Sequence, residues 1–209
     1  MDALKTFISL LVIVNPIGAI PLFISLTPNQ SEREKKRTVQ LASLAVTLVL
    51  LISCFLGEQV IRFFGISIAS FQVGGGILVL LVAVSMLNAQ VSPARQTLEE
   101  QQEAETKSNI AVVPLAIPLM TGPGAVSTVI IYAQKASHWT HYLAIAGSGI
   151  AIGLITWAAL SLAAPVSRIL GQTGINVATR LMGLLLAAIA VEIMAEGLVH
   201  LFPILIASR

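Results

Sequence analysis

The sequence predicts an all-α membrane protein: six transmembrane helices arranged as two inverted three-helix repeats, with helices 1 and 4 broken. Three observations predict it. The 209 residues are 56% hydrophobic and 11% charged, against roughly 25% charged in soluble domains. The charges are clustered, so that no Asp, Glu, Lys or Arg occurs in 6–31, 38–57, 63–94, 108–134 or 136–167; a helix needs about 20 apolar residues to span hydrocarbon. Pro and Gly interrupt two of those runs, at Asn15-Pro16-Ile17-Gly18 and at Thr121-Gly122-Pro123-Gly124. The runs do not alternate polar and apolar residues, which excludes a membrane barrel as the main architecture.

The runs place spans at about 4–26, 38–57, 66–88, 110–134, 141–163 and 179–203. The first is read as a span and not a cleaved signal. Its leader has one positive charge, Lys5, and its apolar run outlasts a signal core of about 7–15 residues. The second follows the charged connection "TPNQSEREKKRT" (27–38), and the third opens at Gly65 and contains Gly74-Gly75-Gly76. The segment 89–109 holds four glutamates with many Gln and Ser, and reads as a flexible cytoplasmic linker. It divides one transmembrane domain, 1–209, into repeat 1 (1–88) and repeat 2 (110–209). The last apolar stretch, 181–206, is interrupted only by Glu192, Glu196 and His200, spaced by four and therefore on one helix face.

Orientation follows from Lys and Arg, which stay in the cytoplasm. Connections 1–2, 3–4 and 5–6 hold eight of them, among them Arg33, Lys35, Lys36 and Arg37; the other side holds Lys5, Arg62, Lys135 and Arg209. Both termini are therefore expected to be periplasmic. Trp139, Tyr142, His138 and His141 are expected at the outer boundary as an aromatic belt, and Arg62, Arg168 and Arg180 as headgroup anchors.

Three spans per half force the second set to run upside down relative to the first. "GISIASFQVGGGILVLLVAVSM" (65–86) aligns without a gap on "GINVATRLMGLLLAAIAVEIMA" (174–195), and "VIRFFG" (60–65) resembles "VSRILG" (166–171). Pro16 pairs with Pro123 at nearly the same offset. Pro costs about 3 kcal/mol inside a helix and Gly about 1. A broken helix in the bilayer is tolerated only where it is buried in protein or lines a cavity. Paired breaks in an inverted repeat point to a transporter's binding site.

The chemistry expected at the breaks is that of the backbone. Where each helix resumes, the amides of Gly18, Ala19 and Ile20, and of Gly124, Ala125 and Val126, are expected to face the break and bind a carboxylate. The half-helices ending there offer carbonyls to an ammonium group or cation. Asn15, Thr121, Ser127 and Thr128 add neutral donors and acceptors, although such hydroxyls more often bond their own helix. The candidate substrate-binding set is Asn15, Pro16, Gly18, Ala19, Thr121, Gly122, Pro123, Gly124, Ala125, Ser127 and Thr128. It suits a small zwitterion.

"NPIGAIPLF" (15–23) and "PLAIPLMTGPGAVST" (114–128) resemble the two signature motifs of the MarC family (UPF0056-type) of six-span bacterial inner-membrane proteins. The likeness extends over nearly the whole chain. The motif positions correspond here to Asn15, Pro16, Gly18 and Pro21, and to Pro118, Gly122, Pro123, Gly124 and Ala125. The resemblance implies a cell inner-membrane location and, for some members, transport of small neutral amino acids.

A carboxylate among apolar helices is costly and a functional candidate. Glu192 is accordingly the first candidate for coupling to protons or sodium, with a hydrogen bond to another helix as the alternative; Glu196 and His200 are expected to be wetted at the interface. No histidine has a metal-ligand partner at useful spacing, no cofactor is expected, and no nucleophile–base set or nucleotide loop points to an enzyme. The net charge of +2 is too small to argue for nucleic acid. The lone cysteine, Cys54, excludes an intrachain disulfide. The expected function is a secondary transporter of a small neutral solute such as glycine or alanine, working by alternating access. The alternatives are a passive channel, or a structural or regulatory membrane subunit. The partners are the solute and the lipid bilayer, with a homo-oligomer compatible with the sequence.

Overall fold

A computed structural model describes residues 3–28, 30–88, 116, 120–136 and 138–202. The segment 89–109, expected as a linker, lies outside the described residues, as do 110–115, 117–119 (including Pro118) and Arg209. The described residues are helical, with no strand among them: α1 (Ala3–Val14), α2 (Ile20–Leu26), α3 (Glu32–Phe63), α4 (Ile68–Leu87), α5 (Pro123–Gln134), α6 (Trp139–Ser161) and α7 (Ala163–Leu201). Four of them, α3, α4, α6 and α7, are long and apolar enough to cross a bilayer. At 1.5 Å per residue, the 12 residues of α1 or of α5 cover about 18 Å, short of the roughly 30 Å of hydrocarbon.

Each boundary has a local cause. The connection "TPNQSEREKKRT", expected as a loop, is largely the head of α3. Ser31 caps it by accepting from the Glu34 amide, while Glu34 Oε2 accepts from the Ser31 amide at 2.7 Å. That reciprocal capping box satisfies two otherwise orphaned amides. Glu32 and Glu34 lie in the first turn, where acidic groups complement the helix dipole. Ser67 caps α4 through the Ser70 amide at 3.1 Å. The long α7 is two helices joined at Gly171, whose backbone lies at φ 61, ψ 178. The stretch 164–170, expected to be part of a connection, is helical.

Gly65 and Gly171, the matched glycines of "VIRFFG" and "VSRILG", both have positive φ, 67 and 61. A Cβ at either would meet nothing within 4 Å, so alanine there costs backbone strain alone, about 1–3 kcal/mol. Gly65→Ala and Gly171→Ala are therefore expected to lower the thermal unfolding midpoint in detergent, Gly171→Ala more. Gly65→Asn is expected to lose less than Gly65→Ala, because asparagine tolerates the left-handed region.

The helices pair in a regular way. α4 packs most extensively on α7, α3 on α6, and α5 on both α4 and α3; α1 packs on α6, α5 and α7. Small residues set these contacts. A Cβ on Gly183 would lie 3.0 Å from the Ala83 carbonyl oxygen, and one on Gly197 would lie 2.9 Å from that of Ala69. The numbering rises on α7 as it falls on α4, so the two run antiparallel with backbones nearly touching. Gly153 faces Thr47 and Ser43 in the same manner between α6 and α3.

The two 12-residue helices, α1 and α5, run through the core and meet the buried faces of the long helices. Ser127 through Ala133 of α5 are all buried, as are Leu10, Val12, Ile13 and Val14 of α1. A helix apolar on every side belongs inside a bundle. The long helices enclose it and leave Leu154, Leu181, Leu184 and Phe55 exposed, as lipid contact requires.

Candidate functional site

The first break begins with Asn15, which has φ 48 and is buried. Asparagine reaches the left-handed region at low cost when its side chain bonds locally. Here Asn15 Oδ1 accepts from the Gly18 amide at 3.2 Å. A Cβ on Gly18 would stand 2.1 Å from Asn15 Nδ2 and 2.8 Å from its Cγ; position 18 is therefore glycine so that Asn15 can fold over it. The Ala19 amide donates to the Asn15 carbonyl at 3.3 Å, and the Ile20 amide to that of Ile17 at 3.1 Å.

The amides of Gly18, Ala19 and Ile20, expected to be free, are thus all occupied. What this break releases is carbonyls. Pro16 has no N–H for the Val12 oxygen, and the Gly18 N–H that would serve Val14 is taken by Asn15. No donor to either oxygen lies among the described residues.

The second break has the opposite polarity. The Ala116 carbonyl accepts from both the amide (2.9 Å) and the hydroxyl (2.8 Å) of Thr121, so the preceding half ends with that oxygen satisfied. Gly122 caps α5 with extended backbone, and Pro123 occupies the first turn, where a missing N–H costs nothing. The Ala125 and Val126 amides return to the Gly122 carbonyl at 3.0 and 3.2 Å, contrary to the expectation that they are free. The Gly122 and Gly124 amides have no acceptor among the described residues. Thr128 Oγ1 donates to the Gly124 carbonyl at 2.8 Å, the intrahelical fate common for threonine. Ser127 lies against Gly75 of α4, where a Cβ would come within 3.0 Å of it.

The two breaks approach each other. A Cβ on Gly124 would lie 3.1 Å from Ile13 Cδ1 and 3.6 Å from Val82 Cγ2. Gly122, Pro123, Gly124 and Ala125 line a small cavity with Ile13, Val82 and Met120. Its room for water-sized molecules is about 10 Å³, near the least that admits one water. Asn15, Pro16, Gly18 and Ala19 do not line it; the first break contributes Ile13, two residues earlier. Thr121 and Thr128 are buried, with hydroxyls turned to their own backbone, and Pro123 is exposed.

Sequence reasoning missed a second cluster, at the end of the bundle where α1 begins and α5 ends. Glu192, the expected coupling carboxylate, is ion-paired with Lys5 of α1, and Glu196, expected to be merely wetted, with Lys135 just past α5. His200 Nδ1 lies 2.8 Å from the Glu196 carbonyl of its own helix. The two pairs tie both interrupted helices to α7. All four side chains are 30–48% exposed, so each pair contributes only about 0–1 kcal/mol and opens readily. A turn deeper, Ser9 Oγ donates to the Lys5 carbonyl (2.8 Å) and lies 2.8 Å from the Tyr132 hydroxyl. With its one hydrogen spent, Ser9 accepts from Tyr132. The signal was available: Lys5 and Lys135 fall at the same end of the spans as Glu192 and Glu196, and charges among apolar helices pair.

At the opposite end, a cleft of about 590 Å³ is walled by Phe23 and Ile24 of α2, Lys35 and Lys36 of α3, Trp157 of α6 and Ala163 of α7. No group of three metal-ligating side chains occurs among the described residues.

Residues 2–202 match the family described as MarC family integral membrane protein. The UPF0056 membrane protein BU267 of Buchnera aphidicola subsp. Acyrthosiphon pisum is 42% identical over 200 residues, 96% of this chain and 93% of its own. The UPF0056 membrane protein YhcE of Escherichia coli (strain K12) is 43% identical over 202 residues, 95% of this chain and 93% of its own. YvbG of Bacillus subtilis (strain 168) is 36% identical over 200 residues, 95% of each chain. No solved structure matches. Joined to the apolar spans and the Pro-Gly breaks, the match over nearly the whole length makes this chain a member of the MarC family of integral membrane proteins.

Proposed function

We propose that the protein is a secondary transporter that moves a small neutral amino acid, of the size of glycine or alanine, across the bacterial inner membrane by alternating access. The observation that carries this reading is the burial of two interrupted helices against each other, Ile13 on Gly124, with unpaired carbonyls left at the first break and unpaired amides at the second among the described residues. The α5 N-terminus, with its Gly122 and Gly124 amides, takes the solute carboxylate. The carbonyls of Val12 and Val14, which flank Ile13 but do not line the closed cavity, take the ammonium once the site opens. The cavity is closed around about one water, so the solute enters only when the halves move apart. No enzymatic step is part of this reading.

Six spans in two inverted repeats complete the proposal, with α1–α2 and the chain through α5 each counted as one broken span. Several matches support it. Pro16 and Pro123 are 107 residues apart, and so are the first residues of α3 and α6, Glu32 and Trp139. Gly65 and Gly171, 106 apart, share positive φ. Equivalent helices pack on each other, α3 on α6 and α4 on α7. In this orientation Arg33, Lys35, Lys36 and Arg37 face the cytoplasm with the wide cleft, both termini are periplasmic, and the ion-paired end is closed to the outside.

Proteoliposome uptake of labelled glycine, alanine and serine, under imposed proton and sodium gradients, tests the reading. Saturable accumulation against a gradient is expected. Dissipative flux without accumulation would make the protein a channel, and no flux of any solute would leave a structural or regulatory subunit.

A further inference from the structure

We propose that the cavity between Lys5, Lys135, Glu192 and Glu196 is a second zwitterion site, at which a free amino acid opens the closed end of the bundle by exchanging ion-pair partners. Its room for water-sized molecules is about 180 Å³, against about 10 Å³ at Gly124; it admits a small solute where the inner cavity admits a single water. Two cations and two anions line it, with Tyr132. A solute carboxylate takes one lysine while its ammonium takes the glutamate that lysine releases, so every charge keeps a partner. A solute with one charge can replace only one member of a pair and leaves the other without a counter-ion, so it gains no net pairing. The device therefore selects for zwitterions before the solute reaches the core.

The two cavities lie along the same pair of helices. Lys5, Ser9 and Ile13 follow one another at i, i+4 and i+8 on α1, and Tyr132, Thr128 and Gly124 are spaced likewise on α5. Ser9 meets Tyr132 and Ile13 meets Gly124, so the two helices run antiparallel along this path. From Lys5 to Ile13 the helix rises about 12 Å. With both pairs broken, neither helix is tied to α7 at this end, and the α1–α5 seam is left to the Ser9–Tyr132 hydrogen bond, Ser9 being 0% exposed. That this end faces outward and serves uptake rests on the transport reading above; zwitterion binding at the cavity does not.

Labelling of a buried reporter tests the proposal without relying on transport. In a Cys54→Ala background, Ser9→Cys is exposed to a membrane-impermeant thiol reagent, with Thr6→Cys, 2% exposed in the native chain, as a second reporter. Glycine is expected to speed labelling about tenfold, as a ligand that binds the open form about tenfold more tightly does. Methylamine and acetate at equal concentration are expected to leave the rate unchanged. The glycine effect is expected to persist in Gly124→Val, where the core cavity is filled. Glu192→Gln combined with Glu196→Gln is expected to label quickly without glycine. Unchanged labelling with glycine, equal acceleration by methylamine or acetate, or loss of the glycine effect in Gly124→Val would each overturn the proposal. Failure of uptake in the unmodified protein would instead count against the transport reading, and the labelling result would stand.

Discussion

Gly18→Val abolishes solute uptake and leaves insertion into the membrane intact: this is the largest effect expected of any single substitution outside the long helices. The valine Cβ would stand 2.1 Å from Asn15 Nδ2, so the asparagine side chain must leave. Its hydrogen bond to the residue 18 amide, worth about 1 kcal/mol net, goes with it. The left-handed backbone at position 15, which costs roughly 1–2 kcal/mol without local compensation, is then unsupported. The turn relaxes, and the Val12 and Val14 carbonyls lose their aim. A misplacement of about 1 Å at a binding site costs on the order of a hundredfold in rate. Purified Gly18→Val is expected to elute as a folded species in detergent, with a thermal midpoint lowered by the equivalent of about 2–3 kcal/mol and uptake lost. Asn15→Ala is expected to share the uptake defect, because it removes the same bond from the other partner.

Gly124→Val is expected to match it in uptake with a smaller loss of stability. Even the first added carbon lies 3.1 Å from Ile13 Cδ1, and the valine methyls fill a cavity that holds about one water. The solute carboxylate can then no longer approach the α5 amides. Gly124→Ala requires only a shift of a few tenths of an ångström from a flexible isoleucine end and is expected to retain partial uptake. A graded loss from glycine to alanine to valine, read as a rise in the half-saturating solute concentration before insertion suffers, identifies a steric block at the site.

The spans were legible because hydrocarbon leaves little freedom. Charge-free runs of the right length set α4 and α6 to within two or three residues. The breaks were legible because Pro and Gly are the worst helix formers, and the burial of α1 and α5 follows, since only protein or water satisfies a broken backbone. What each break offers was not legible. Sequence alone suggested free amides at both, and the outcome turned on one side chain: Asn15 entered the left-handed region and took the Gly18 amide. The head of α3 was misjudged because "SEREKKRT" was weighed as an orientation signal, while its Ser31 and Glu34, three apart, also spell a capping box. The Lys5–Glu192 pair joins residues 187 positions apart, and no local pattern connects them; only the shared end of the bundle does. The kink at Gly171 fell in residues read as a connection, because Arg168, Gln172, Asn176 and Arg180 break the apolar pattern there although the chain stays helical.

The account depends on the two interrupted helices meeting at Ile13 and Gly124, and a double-mutant cycle measures that contact. Ile13→Val alone removes the Cδ1 methyl and is expected to cost about 0.5–1.5 kcal/mol. Gly124→Ala alone is expected to cost about 1 kcal/mol by crowding. Together they are expected to cost about 1 kcal/mol less than their sum, because the missing methyl leaves room for the new one, and uptake is expected to recover alongside stability. Strict additivity in both stability and uptake would mean that the two breaks do not touch, and would contradict the account.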